Sequence, residues 1–214
     1  MGLYKELCVK ELEKPNIDIA IVDVKYILRN NLNVRIEKVE NEDMTYSFIV
    51  GNQKGDIYFK TKDKFFGREL LTVYDEPIIN ICGCISNKVK RRIYAGDSES
   101  ILLGEIRKKD AFRGKKYQVK FNRLGVGKME YFTMTCDKDM RICTISFDHE
   151  NGDKRVIGRV VRSIINNDLY EVDIVSGVDI VFIIGIILFF VEMTHLTTRK
   201  GYIGDSTMNF ISTS

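Results

Sequence analysis

The stretch VDIVFIIGIILFFV, residues 178–191, decides how the rest of the chain must fold, because from Ile180 to Val191 it has no charged or hydrogen-bonding side chain. Seven of these twelve positions are β-branched, which favours a strand. Twelve residues are long for a strand and ordinary for a helix, and Asp179 and Glu192 bracket the run as helix termini would. We therefore predict a helix over 180–191, with a strand as the alternative.

A helix of this length has to be enclosed by the protein itself. It would measure about 18 Å at about 1.5 Å per residue, whereas a hydrocarbon core of about 30 Å needs roughly 17 to 25 residues. It is therefore too short to span a membrane comfortably. A helix that is apolar on every face must be buried on every face, and the residues before it are the material available to surround it.

Those preceding residues have the pattern of a β protein. Runs rich in β-branched and aromatic residues alternate with turn signals about every ten to twelve residues, which is typical of a barrel or a sandwich. The first such run, 17–28, is interpreted as a strand, and 45–60 as a hairpin. The predicted fold is mainly β: a closed antiparallel barrel of about twelve strands around one central, buried, hydrophobic C-terminal helix. Closure would also remove exposed strand edges.

Three segments follow from this interpretation. Residues 1–16 are charged and show no clear period, so we expect a flexible N-terminal arm. Residues 17–195 form the predicted barrel, and 196–214 form a C-terminal tail. The composition, 44% hydrophobic and 29% charged over 214 residues, is that of one ordered domain or at most two.

The sequence favours an intracellular protein. Lys5 and Glu6 interrupt what would be the apolar core of a signal peptide, so we expect that the chain is not secreted. Five cysteines with no CxxC pair suit a reducing compartment. We expect a cytoplasmic protein that is either free or peripheral at a membrane.

Several stretches, in the right order, resemble the LURP-one-related proteins of the tubby C-terminal-like superfamily, kin to phospholipid scramblases. Residues 43–60 resemble the family's opening hairpin and residues 67–81 its following hairpin, although Asp75-Glu76-Pro77 stands where a glycine is common. Residues 170–192 are similar to the family's last strand, Gly-Val-Asp turn and hydrophobic helix, and this is the most specific match. The resemblance implies a twelve-stranded barrel around a central helix and no established enzymatic activity.

Catalytic and metal-binding motifs give little support to an enzyme. Neither of the two histidines, His149 and His195, has a Ser or Cys nucleophile at a recognisable motif. Cys82 and Cys84 are too closely spaced for the usual zinc pair, and we interpret them as small core residues under the helix. The acidic residues near the apolar run lack the spacing of a calcium loop; they are Asp168, Glu171, Asp173 and Asp179. We expect no enzymatic activity, no cofactor and no metal.

Positive charge is concentrated in the middle of the chain. Residues 54–130 carry 18 Lys and Arg against 10 Asp and Glu, a net of +8, whereas the rest carries 15 against 20. A strand over 87–94 would turn Val89 and Ile93 inward and leave three cations outside, namely Lys88, Lys90 and Arg92. A second cluster is predicted in the loop after residues 101–106, and it comprises Arg107, Lys108, Lys109, Arg113, Lys115 and Lys116.

These clusters supply the functional hypothesis. Tubby proteins, to which the chain is related by this resemblance, bind phosphoinositide head groups through basic residues of the barrel surface. No ligand residue of theirs is carried over to this sequence, and we hypothesise from the charge pattern that the two clusters form a phosphoinositide or anionic-membrane site. A merely solvated, charged face is the alternative interpretation. The predicted function is a non-enzymatic adaptor that binds a lipid head group or a protein partner. The alternatives are a scramblase-like protein whose apolar segment inserts into the membrane, and a transcriptional regulator, for which the nucleic-acid signal is weaker.

Overall fold

Twelve strands close into one antiparallel barrel in the part of the chain that the computed structural model describes. That part comprises residues 2–41, 45–64, 67–84, 87–148 and 154–204, without the side chains of 84, 87–89 and 196–204. Each strand pairs with its neighbours along the chain, and β12 pairs with β1 to close the barrel. The predicted mainly-β barrel with a C-terminal helix is confirmed.

The elements have the following bounds. The strands are β1 Leu32–Glu40, β2 Tyr46–Gly51, β3 Ile57–Lys64, β4 Gly67–Leu71, β5 Pro77–Cys84, β6 Asn87–Ala95, β7 Leu102–Lys109, β8 Lys115–Asn122, β9 Met129–Cys136, β10 Ile142–Asp148, β11 Lys154–Arg162 and β12 Leu169–Ile174. The helices are α1 Leu3–Cys8, a 3-10 turn Val24–Tyr26 and α2 Ile180–Gly204.

Helix α2 passes through the barrel. All twelve residues from 180 to 191 are buried, as a helix that is apolar on every face requires. Aromatic side chains of the helix pack on aromatic side chains of the barrel wall: Phe182 lies 5.8 Å from Phe121 and Phe189 lies 5.0 Å from Tyr117, measured between ring centroids. The helix, rather than the alternative strand, is therefore the correct interpretation of this stretch.

Two glycines allow the helix and the wall to approach each other closely. A Cβ atom on Gly104 of β7 would lie 2.7 Å from the ring of Phe182, and a Cβ atom on Gly185 of α2 would lie 2.7 Å from Cδ1 of Ile79. These distances are shorter than van der Waals contact. Any larger residue at either position would displace its neighbour.

Asp179 caps the N-terminus of α2 and ties a second segment to it. Its Oδ1 accepts a hydrogen bond from the backbone N–H of Phe182 at 3.1 Å, the usual N-cap contact. Its Oδ2 accepts from the backbone N–H groups of Ile21 at 3.0 Å and Val22 at 2.7 Å. Burial raises the pKa of this 1% exposed carboxyl, and the backbone donors oppose that rise. One side chain thus joins the start of the helix to the segment that closes the barrel there.

The two ends of the barrel are distinguished by the direction of α2. The helix starts at Asp179, at the end we call the cap end. It runs toward the β1–β2, β3–β4, β5–β6, β7–β8, β9–β10 and β11–β12 turns, which share the opposite end of an antiparallel barrel. Thr194 of α2 lies at that end, where its Oγ1 is 3.5 Å from the backbone oxygen of Met140 in the β9–β10 turn. We call this the exit end.

Helix α2 continues past Glu192, because the carboxylate of this residue is paired with two arginines. The Nε atom of Arg68, a side chain that is 1% exposed, lies 3.1 Å from Oε1 of Glu192, and Nε of Arg91 lies 3.8 Å from Oε2. An Nη of Arg68 also binds Asp63 at 2.7 Å. Because its carboxylate is neutralised inside the barrel, Glu192 is compatible with a continuing helix.

The predicted helix end at 191 and the predicted tail at 196 are therefore wrong in part. Helix α2 continues to Gly204, and the remaining tail, 205–214, lies outside the described residues.

The predicted strand over 17–28 is also wrong. The segment makes isolated bridges from Ile19 to Val178 and from Ile27 to Asp179, with a 3-10 turn between them. The backbone N–H groups of residues 21–23 are taken up by the carboxylate of Asp179, so they cannot serve a strand ladder. Apolar alternation in this segment reflects packing at the cap end rather than sheet pairing.

Residues 2–16 are not the flexible arm that their charge suggested. They contain helix α1, whose Leu7 is fully buried, and Arg159 of β11 donates hydrogen bonds to the backbone oxygens of Cys8 at 2.5 Å and Lys10 at 3.3 Å. The backbone N–H of Glu13 donates to the oxygen of Val156 at 2.8 Å. Hydrogen bonds to β11 therefore fix a segment whose own sequence gives no period.

Asp179→Ala should destabilise the protein by about 3–7 kcal/mol. The loss combines an N-cap, typically about 1 kcal/mol, with buried backbone donors left unsatisfied at about 1–3 kcal/mol each. Chemical denaturation monitored by circular dichroism measures this difference. Asp110→Ala, which removes an exposed carboxylate from the β7–β8 turn, should change stability by less than about 0.5 kcal/mol. Equal losses in the two variants would contradict the role assigned to Asp179.

Candidate anion-binding face

Strand alternation gathers basic side chains on the outer wall of β6, β7 and β8. The register pairs Arg92 with Glu105, Arg107 with Gln118, and Lys109 with Lys116. Their neighbours along each strand, including Ile93, Ile106 and Val119, are fully buried in the core. We call the outward cations of these strands the basic face: Lys90, Arg92, Arg107, Lys109, Lys116 and Lys120.

Glu105 is the one carboxylate on this wall among its described side chains. It binds Nζ of Lys90 at 2.6 Å and Nε of Arg92 at 3.5 Å, and it also pairs with Arg107. Burial alone would raise the pKa of the Glu105 carboxyl, but hydrogen bonds from Lys90 and Arg107 outweigh burial and lower the pKa. Three cations thus share one carboxylate, and the face keeps a positive balance.

A hollow of about 230 Å³ opens beside Glu105. Arg107 and Lys120 contribute cations to its lining, Asn122 contributes an amide, and Leu103 and Met129 contribute apolar surface. Ammonium and guanidinium groups next to an amide are the donors that bind phosphate oxygens. The hollow is therefore a concave part of the basic face that could receive an anionic group.

The first predicted cluster is placed largely as expected. Lys90 and Arg92 lie on the outer wall, with side chains 22% and 43% exposed, whereas Arg91 turns inward toward Glu192. The side chain of the third predicted residue, Lys88, lies outside the described part of the structure.

Five of the six residues of the second predicted cluster lie on strands rather than in a loop. Strand β7 continues to Lys109 and β8 begins at Lys115, so only the five residues 110–114 separate the two strands. Alternation then divides the cluster. Lys109 and Lys116 join the basic face, whereas Lys108 lies opposite the inward-facing Tyr117.

Two further members of that cluster have separate surroundings. Lys115 lies on the inward-facing side of β8, where burial lowers the pKa of its amine. Arg113 lies in the turn, 3.5 Å from the Glu6 carboxylate of α1. Neither residue belongs to the basic face.

Sequence reasoning missed four outward lysines. Lys120 follows Lys116 at a spacing of four on β8, which is the same side of a strand. Lys60, Lys62 and Lys64 alternate along β3 in the same way, and the pattern KTKDK at 60–64 was the available signal. Lys60 pairs with Asp75 at 3.4 Å and Lys64 pairs with Glu69, so this second stripe is more neutralised than the basic face.

The cysteines and histidines form no recognisable reactive site in the described residues. Cys82 is not under the helix, because Ile79 and Ile81 take the inward positions of β5 and leave Cys82 on the outer wall. Burial and the nearby Glu99 raise the pKa of its thiol to about 11. The side chain of Cys84 and the whole of His149 lie outside the described residues.

His195 is part of the aromatic packing at the exit end. Its Nε2 lies 3.3 Å from the hydroxyl of Tyr170, and its ring stacks on Phe48 with centroids 6.1 Å apart. Within the described ranges, no three His, Cys, Asp or Glu side chains come together as a metal site. Asp179, one of the four acidic residues considered for calcium, is occupied by backbone donors.

A family model described as LURP-one-related matches residues 38–191. The chain belongs to the LURP-one-related family. The match extends from β1 to the apolar part of α2, and it therefore includes the whole basic face. The segment that packs on β11, residues 2–16, precedes the matched region. A search of curated proteins finds no match.

The LURP-one-related barrel has no helix, among the described residues, with both the length and the apolar content of a membrane span. The apolar part of α2 is instead enclosed by the strands.

Proposed function

We propose that this LURP-one-related protein is a non-enzymatic adaptor that binds phosphate-bearing anionic lipid head groups, of the phosphoinositide class, at the basic face. The observation that carries the proposal is the arrangement of six outward cations around one carboxylate on three adjacent strands. The hollow lined by Arg107 and Lys120 is the candidate head-group site. Such binding would place the protein at the cytoplasmic surface of a membrane.

The charges of the basic face are sufficient for reversible membrane binding. Each Lys or Arg near an anionic leaflet contributes about 1 kcal/mol, and the attraction weakens within a Debye length of about 8 Å at physiological ionic strength. Because the negative charge of Glu105 cancels one of the six positive charges, the net charge of the basic face is about +5. Binding should therefore be measurable and strongly dependent on salt.

Two observations make the alternative functions less well supported. A scramblase-like protein would need apolar surface for the bilayer interior, but residues 180–191 are buried and fixed by Asp179 at one end and Arg68 at the other. A DNA-binding protein would need cations spaced along a groove. Here the cations form a compact patch with a carboxylate at its centre.

Removing three cations of the basic face should abolish most vesicle binding. Lys109→Ala, Lys116→Ala and Lys120→Ala in combination should weaken binding to phosphoinositide-containing vesicles about 100-fold, since each charge contributes about 1 kcal/mol. These lysines are chosen because the ion pairs of Glu105 are made by Lys90, Arg92 and Arg107, although Lys120 lies across from Glu105 in the strand register. Co-sedimentation with vesicles across a salt series measures the change.

The matched control removes the same charge from the cap end. Lys14→Ala, Lys25→Ala and Lys54→Ala replace three exposed lysines and should leave vesicle binding nearly unchanged. Equal loss in both triple variants would mean that net charge, not the basic face, determines binding. If the native protein does not sediment with any anionic vesicle, the proposed function is wrong.

Glu105→Gln should have the opposite effect. Replacing the carboxylate by a neutral amide frees positive charge on the same face, so affinity for anionic vesicles should rise about fivefold. Glu37→Gln, an exposed position on β1 outside the basic face, provides the matched control and should leave affinity unchanged. A decrease in affinity with Glu105→Gln, in a variant that melts at the native temperature, would contradict the assigned electrostatics.

A further inference from the structure

The most exposed large apolar side chains of the described residues lie in two turns of the exit end. Phe112, in the β7–β8 turn, is 103% exposed relative to the reference residue, and Ile164 and Ile165, in the β11–β12 turn, are 89% and 99% exposed. The two turns stand on either side of the β9–β10 turn at the same end of the barrel. Isolated apolar residues on a surface are common, but three that project fully from one end are a distinct arrangement.

The β11–β12 turn holds its two isoleucines outward by its own hydrogen bonds. The hydroxyl oxygen of Ser163 accepts from the backbone N–H groups of Ile165 at 3.3 Å and Asn166 at 3.2 Å. The side-chain oxygen of Asn166 accepts from the N–H of Asp168 at 2.9 Å, and Arg162 donates to the oxygen of Asn167 at 2.9 Å. Since the turn is closed on itself, the isoleucines are presented without packing against the barrel.

The Phe112 turn adjoins the basic face directly. It connects Lys109, at the end of β7, to Lys116, near the start of β8, and both of these lysines belong to the basic face. An aromatic side chain beside such cations is suited to the boundary between lipid head groups and acyl chains, where aromatic rings insert while Lys and Arg bind phosphates.

Two of the exposed apolar residues at the cap end have acidic neighbours along the chain. Tyr74, which is 84% exposed, is followed by Asp75 and Glu76 in the β4–β5 turn. Ile101, which is 61% exposed, follows a turn that contains Asp97 and Glu99. Carboxylates at these positions would be repelled by an anionic leaflet. The exit-end turns also contain carboxylates, Asp110 before Phe112 and Asp168 after Ile165, but Asp110 lies between the cations that end β7 and begin β8.

We infer that the exit end is the surface that enters the membrane interface, with Phe112, which adjoins the basic face, and Ile164 and Ile165, in the β11–β12 turn, as apolar anchors. The inference rests on the proposed function and adds the orientation of the barrel: its exit end faces the bilayer and its cap end faces the aqueous phase. The occupant of this surface is the interfacial region of an anionic bilayer. Helix α2 stays inside the barrel in this arrangement.

Single-tryptophan variants test the orientation without background, because the native sequence contains no tryptophan. Phe112→Trp and Ile165→Trp report on the exit end, and Tyr74→Trp, at a similarly exposed position, reports on the cap end. Each full-length variant is titrated with phosphatidylcholine vesicles that contain phosphatidylserine and a phosphoinositide. The readouts are the emission maximum and quenching by lipids brominated on their acyl chains, with sedimentation of the same samples.

The expected result is a shift to shorter wavelength and acyl-chain quenching for Phe112→Trp and Ile165→Trp, with no change for Tyr74→Trp. Sedimentation without a shift at either exit-end position would overturn the inference and leave the proposed head-group binding intact. A shift for Tyr74→Trp alone would reverse the orientation and also overturn it. Insertion into neutral vesicles, independent of salt, would support the anchors but refute the head-group function. Absence of sedimentation would refute both.

Discussion

The enclosure of α2 is the constraint on which the rest of the structure depends. A helix with twelve consecutive apolar residues has no face that tolerates water, so its surroundings must close around it completely. An antiparallel sheet can do this by pairing its last strand with its first, which also removes both edges. The closure of the sheet into a barrel follows from that requirement.

Polar groups fix the helix at both ends of the apolar run. At the cap end Asp179 accepts backbone hydrogen bonds from the helix and from the segment at residues 21–23. At the exit end Arg68 is buried against Glu192 and Asp63. Burial of these charges is tolerated because Arg68 forms ion pairs and the carboxylate of Asp179 accepts hydrogen bonds. Both sets of contacts fix the position of the helix along the barrel axis. Since the interior is filled, binding has to use the outer wall and the turns.

The sequence predicts those parts of the molecule that follow a simple period. The apolar run predicted the enclosed helix, and the alternation in 87–94 placed Lys90 and Arg92 on the outer wall. Prediction from the sequence is wrong where tertiary contacts override the local pattern. The carboxylate of Asp179 accepts hydrogen bonds from the backbone N–H groups of residues 21–23, and Arg159 donates hydrogen bonds to the N-terminal segment. The basic cluster of β7 and β8 looks like a loop in the sequence, because the ends of these strands are set by pairing with neighbouring strands. Side chains alternate along β7, so Lys108 and Lys109 lie on opposite faces.

Hydrogen–deuterium exchange of the native protein, with and without anionic vesicles, is the most direct test of the enclosed helix. The backbone amides of residues 183–191 should be among the slowest to exchange, because they open only when the barrel opens. We expect that vesicles leave this protection unchanged while the protein is bound. Faster exchange of these amides than of the surrounding strands, or a loss of their protection on vesicles, would show that the helix leaves the barrel and would contradict the account.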